Sequence, residues 1–243
     1  MYELQPLTIG EILDAAFTLY RRHFSIFLTI GALCVGPGAI LQVYVALAGG
    51  NVIHPWASLL YLLVAFLGGL VASGATLRVI SDLYLGNEVD VKASLAAAFS
   101  KVGPLMAAGL ATGILVGLGF LLLFIPGVIA WSGYALAPQV VILEGVPSGT
   151  AALPRSWELT KGYRMKVLAV TIVISFLLWI PLVALNATLP TPAGEVLGVL
   201  ASLLISPIYH SALTLLYYDL RVRKEGFDLE LLGRLTAETA ALA

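Results

Sequence analysis

The sequence predicts an all-α, polytopic membrane bundle of six spans, and three observations carry that prediction. Of the 243 residues, 60% are hydrophobic and only 11% charged, with a mean hydropathy of +0.98, far above soluble domains. The apolar residues gather into runs close to the roughly 20 residues that a helix needs to cross a bilayer. All thirteen Lys and Arg fall on one side of those runs. Because basic residues are retained on the cytoplasmic side, both termini are expected to be cytoplasmic. Thirteen of the fourteen acidic residues share that side, leaving a balanced surface of net charge −1 that makes nucleic acid a poor partner.

Along the chain, Met1 to Thr8 lacks the basic region of a signal peptide, and the first apolar run is too long for one. From Ile9 to Tyr20, Ile9, Ile12, Leu13, Ala16, Phe17 and Tyr20 recur at spacings of three and four, opposite Glu11 and Asp14. That spacing predicts an amphipathic helix, begun by a Thr8/Glu11 capping box. Spans follow at Phe24 to Ala48 and Trp56 to Ile80, joined by an uncharged turn around Gly49 to Pro55. Asp90 to Val102 is a second amphipathic segment with Asp90 as N-cap. The third and fourth spans, Pro104 to Phe124 and Gly127 to Leu143, leave only Phe124-Ile125-Pro126-Gly127 between them, where Pro126 and Gly127 supply turn torsions. A third amphipathic segment covers Ser148 to Gly162, with Pro154 expected to kink it or delay its start to about Leu153. The last spans are Val167 to Asn186 and Val196 to Tyr218, joined by a turn around Asn186 to Glu195. The final 227–243 reads as a short cytoplasmic amphipathic tail.

The stretches ILDAAFTLYRRHF, SLAAAFSKVGPLM and ALPRSWELTKGYR share small residues, then Phe or Trp, then basic residues in two of the three and a single lysine in the other. Three even-span endings, SGATLRVISDLYLGNEVD, SGYALAPQVVILEGVPSG and HSALTLLYYDLRVRKEGFD, each run through aliphatics to an acidic residue and a glycine. We therefore expect three degenerate units, about 8–86, 90–145 and 148–226, each an interfacial helix plus a helical hairpin. Parallel units imply a pseudo-threefold axis along the membrane normal.

The combination of LTIGEILDAAFTLYRRHF, EGVPSGTAALPRSWELTKGYRMKVL and LYYDLRVRKEGFDLELL resembles prokaryotic membrane proteins related to the glycerophosphoryl diester phosphodiesterase membrane domain. Glu144, Gly145, Arg155, Ser156, Trp157 and Gly162 carry its most specific part, and Pro154 stands where the resemblance expects a helix-compatible residue. The resemblance implies a six-span protein of the prokaryotic plasma membrane. It implies no phosphodiesterase activity, because nothing in the chain corresponds to the soluble barrel that some relatives carry.

Polar residues within spans are the first functional pointers in lipid. Gln42, Gln139, Asn186 and His210 lead, followed by Ser73, Thr76, Ser132, Ser202, Ser206 and Ser211, whose hydroxyls commonly bond to their own helix. At the basic side, Arg78 and Asp82 stand four apart, and Asp219 is within reach of Arg221 or Arg223. With Arg155, Lys161, Arg164 and Lys166 they are expected to form a charged ring that meets lipid headgroups or a partner protein. Gly109, Gly113 and Gly117 form a stripe suited to close packing, within the chain or between copies in a homo-oligomer. Pro37, Pro138, Pro181 and Pro207 lie inside spans and invite kinks. No Ser-His-Asp order, phosphate loop, paired carboxylate or metal spacing is present, and the single Cys34 excludes a disulfide within the chain. The reading is therefore a non-enzymatic membrane protein without cofactor or metal, which binds lipid or organises a membrane or cytoplasmic partner at the cytoplasmic leaflet. The alternative is a small transporter or flippase with a path along Gln42, Gln139, Asn186 and His210.

Overall fold

The computed structural model describes residues 6–47, 55–188 and 193–229, and among them the chain forms eleven helices and no strand. The turn around Gly49 to Pro55 lies outside the described residues except for Pro55. So do the middle of the turn from Asn186 to Glu195 and most of the 227–243 tail. Five helices are long and apolar enough to cross a membrane, and one bent pair brings the number to six if the two halves form one span. Those are the dimensions of a multi-pass membrane protein.

Helix α1 (Ile9–Arg22) opens on the expected capping box: the Thr8 hydroxyl accepts from the Glu11 amide, and Glu11 accepts from the Thr8 amide at 2.6 Å. Ile12, Ala16 and Leu19 form its buried stripe. The first apolar run, expected as one span, breaks at Val35 into α2 (Phe24–Cys34) and α3 (Gly36–Leu47), bent by 53°. Pro37 cannot donate to the preceding turn, and Gly36 and Gly38 are poor helix formers. The next helix, α4 (Pro55–Leu85), presses on the break: a Cβ on Gly68 would lie 2.1 Å from the Cys34 carbonyl oxygen. Hydropathy places the end of α4 at Ile80, yet the helix runs on to Leu85, because backbone hydrogen bonds do not stop where side chains become polar. It ends at Gly86, whose φ of +78° lets the Asn87 amide reach back to the Asp82 carbonyl.

Asp90 caps α5 (Val91–Ser100), its carboxylate accepting from the Lys92 and Ala93 amides. Helix α6 (Val102–Leu122) then turns back through a single extended residue, Leu123, into α7 (Phe124–Tyr134). The expected turn at Phe124 to Gly127 is therefore already helix. Pro126 sits in its first turn, where an N–H is not needed, and Gly127 serves close packing. A Cβ on Gly119 would come within 2.8 Å of the Gly127 Cα. The fourth span is interrupted at Ala135 and Leu136 before α8 (Ala137–Leu143), which carries Pro138 in its first turn. Helix α9 (Ala152–Thr160) starts one residue before the expected Leu153 and accommodates Pro154 in its first turn without interruption. It docks on α7: the Ser156 and Thr160 hydroxyls both donate to the Gly133 carbonyl, and the Trp157 ring lies against Gly133.

Helices α10 (Arg164–Thr188) and α11 (Ala193–Glu225) complete the bundle. At 33 residues α11 is about 50 Å long, against a hydrocarbon thickness of about 30 Å. Half of its spanning window is buried, compared with 11% of that of α6. From Ser211 to Leu220 every residue of α11 is buried, so other helices surround it on all sides. The packed core runs along this helix. On α6, by contrast, Gly109, Gly113 and Gly117 have no atom within 4 Å of where a Cβ would stand. Among the described residues, nothing packs against the glycine stripe.

Candidate functional site

The C-terminal end of α11 gathers charged groups from the ends of α8, α9 and α10 and the backbone just before α1. Asp219, 1% exposed, accepts from three donors: the Leu7 amide at 2.7 Å, Arg223 Nε at 3.0 Å and Lys166 Nζ at 2.5 Å. The Leu7 carbonyl closes the cluster by accepting from Lys166 Nζ at 2.6 Å and Arg223 Nη2 at 2.9 Å. The backbone of one residue before α1 is thereby tied to the first turn of α10 and the last turns of α11.

A second cluster lies beside it. Arg155 Nε donates to Glu144 Oε2 at 2.7 Å, and its Nη1 meets Glu225 Oε1 at 2.5 Å. The Tyr217 hydroxyl donates to the other Glu144 oxygen at 2.9 Å, and Arg221 Nε donates to Glu225 at 2.9 Å. Hydrogen bonds to Glu225 and Glu144 hold the Arg155 proton more firmly than in a free arginine. Arg221 also lies 4.0 Å over the Phe227 ring. Lys224 Nζ bonds to the Glu158 and Lys161 carbonyls, where a cation complements the C-terminal dipole of α9. The Tyr218 hydroxyl shares a 2.6 Å hydrogen bond with Ser81 on α4.

The residues expected to face headgroups therefore divide. Arg155, Lys166, Asp219, Arg221 and Arg223 are spent on ion pairs within the chain. Arg78 pairs with Asp82 at 3.2 Å at the half-exposed end of α4. Arg164 lays its guanidinium 3.9 Å over the Trp157 ring. Lys161 is exposed and takes part in no ion pair among the described residues. Sequence reasoning did not include Leu7, Glu144, Tyr217, Lys224 or Glu225 in the site. For two of them a signal existed: Glu144-Gly145 and Glu225-Gly226 are the acidic-glycine endings of even spans. Leu7 acts through its backbone and has no such signal.

Of the expected polar path, the two glutamines do not line the cavity that holds His210. Gln42 on α3 and Gln139 on α8 each bury a side-chain oxygen that has no hydrogen-bond partner among the described residues. Asn186 is part of α10, but its side chain lies outside the described residues. His210 lines a cavity of about 350 Å³ between α10 and α11, and neither Gln42 nor Gln139 reaches it. No family model, curated protein or solved structure matches this chain.

Proposed function

We propose that this is a non-enzymatic integral membrane protein that binds anionic lipid headgroups at the cytoplasmic leaflet. The observation that carries the reading is the pairing of unpartnered basic residues with exposed apolar ones beside the short helices. Arg21 and Arg22 end α1 next to Phe24, Lys92 in the first turn of α5 and Lys101 just after it accompany Phe99, and Lys161 ends α9 near Met165. Phe99 is 73% exposed and Met165 78%, although both lie at the charged end. None of these five cations has an ion pair among the described residues. An apolar anchor beside a cation is the composition of a helix lying in the headgroup region. Each Lys or Arg near an anionic surface contributes about 1 kcal/mol.

The internal ion pairs supply the complement, a frame that ties α9 and the backbone before α1 to the C-terminal end of α11. The three-unit organisation and the cytoplasmic termini belong to the same proposal. Its support is that Gly86, Gly145 and Gly226, at the ends of the expected units, all adopt positive φ, as does Gly162. The resemblance to the membrane domain named above rests on the residues quoted for it. Transport along Gln42, Gln139, Asn186 and His210 is the weaker reading, because the His210 cavity contains neither glutamine.

The test replaces Arg21, Arg22, Lys92, Lys101 and Lys161 together by Gln and counts the lipids retained on the protein by native mass spectrometry. The variant should fold as the parent does and lose its enrichment in phosphatidylglycerol over phosphatidylcholine. Unchanged enrichment would remove the reading.

A further inference from the structure

Helices α10 and α11 leave a second feature that the headgroup reading does not use. The 350 Å³ cavity between them is lined by Ser175, Trp179, Ser202, Ser206, Tyr209 and His210 among apolar residues. It shares Ser175 and Trp179 with an outward-facing groove of about 500 Å³, whose remaining walls are Phe176, Ile180, Val183 and Ala184. His210 stands nine residues before Asp219, about 14 Å along α11, which is close to mid-depth of a hydrocarbon layer about 30 Å thick. Ser206 and Ser202 lie one and two turns further toward the uncharged end.

The polar groups here behave unlike their neighbours on the same helices. Thr171 on α10 and Ser211 and Thr214 on α11 each return their hydroxyl to the carbonyl four residues back. Ser175, Ser206 and the His210 ring have no hydrogen-bond partner among the described residues, and all three line the cavity. In hydrocarbon an unmet polar group costs several kcal/mol, so three in one cavity point to something that meets them. The lining holds no Lys, Arg, Asp or Glu. A phosphate, carboxylate or ammonium head would be buried there without a counter-charge.

The geometry points to a binding site for an uncharged lipid amphiphile whose head carries carbonyl or hydroxyl oxygens. It enters sideways from the bilayer, with its head among Ser175, Ser206 and His210 and its tail in the groove beside Trp179. The volume lies at the small end of the range for organic ligands, which suits one ring or one glycerol unit.

Trp179 makes the site directly readable. A short-chain benzoquinone with a decyl tail, titrated into the whole protein in non-ionic detergent, should quench tryptophan emission saturably. Trp179→Phe should remove the saturable component. Ser206→Ala and His210→Leu should each raise the half-saturating concentration about five-fold, the loss of one net hydrogen bond, with unfolding temperature unchanged. Displacement by dioctanoylglycerol would extend the head to hydroxyls, and failure to displace would narrow it to carbonyls. Oleate, which is anionic, should not compete. Quenching that rises linearly and equally in Trp179→Phe, or displacement by oleate as effective as by the diglyceride, would overturn the assignment. Neither result depends on the basic residues of the headgroup proposal, so the two readings fail separately.

Discussion

The two halves of α11 make opposite use of the same kind of residue. From Tyr217 to Glu225 its polar side chains reach across the bundle, tying α4 through Ser81, the end of α8 through Glu144, α9 through Arg155 and α10 through Lys166. From Ala193 to His210 the helix shows Leu197, Leu200 and Leu204 to its surroundings and lines a cavity with Ser206 and His210, which have no hydrogen-bond partner among the described residues. The difference teaches that rigidity in this bundle is localised. The charged half behaves as a frame, and the apolar half keeps polar groups in reserve.

The sharpest way to break the contrast is Asp219→Ala. It leaves Lys166 and Arg223 facing one another around the Leu7 carbonyl, and loss of one partner of a buried ion pair costs about 3–5 kcal/mol. Thermal unfolding in detergent should register the full loss, whereas Asp219→Leu combined with Lys166→Met should recover much of it. A midpoint equal to the parent in the single variant would show that the frame is not structural.

Glycine substitutions sharpen the same contrast on the α6–α7 hairpin. Gly119→Ala drives a methyl into the Gly127 backbone and should destabilise by about 1–3 kcal/mol. Gly113→Ala meets nothing and should be neutral or stabilising by up to about 1 kcal/mol through helix propensity. Equal effects on the unfolding midpoint would mean that the stripe is packed after all, against a second copy.

Within α11 itself, Tyr217→Phe deletes a hydrogen bond to the Glu144 carboxylate, worth about 1.5–3 kcal/mol. Ser206→Ala, in the other half, deletes no bond and should stay within about 0.5 kcal/mol. Denaturant titration of the pair measures the asymmetry directly, and comparable losses would erase it.

The smallest effect concerns pH. The Thr8 backbone hydrogen bond holds the exposed Glu11 carboxyl below its ordinary range. A depressed carboxyl pKa stabilises the folded state above its unfolded value and loses that contribution as pH falls through the folded value. Amide exchange at the start of α1 should therefore accelerate only under acid conditions, below the ordinary glutamate range, and Glu11→Gln should abolish that step. Acceleration already at neutral pH would point to a different cause.

Hydropathy and charge were enough to read an all-helical chain with about five or six helices of membrane-crossing length, the three short helices, two of them with their caps, and a gathering of many charges at one end of the bundle. Each is a local or one-dimensional property: apolar run length, a Thr8-to-Glu11 spacing, the bias of Lys and Arg. Where sequence reading missed, the cause lay in the backbone. The first span breaks at Val35 because Pro37 withholds a donor and α4 closes on Cys34, and the hairpin turn shrinks to Leu123 because Gly119 and Gly127 let two backbones touch. Hydropathy averages side chains and sees neither.

The sequence by itself determined that the chain carries about five or six helices long and apolar enough to cross a membrane, because lipid penalises exposed polar groups at every position independently. Only the tertiary structure decided which charges remain free. Asp219 was legible as a partner for Arg221 or Arg223; its bonds to Lys166 and the Leu7 peptide join residues 53 and 212 apart in the chain. The same folding consumed Arg155 and left Lys161 exposed, a choice set by which helices surround α11 and by no property of either residue alone.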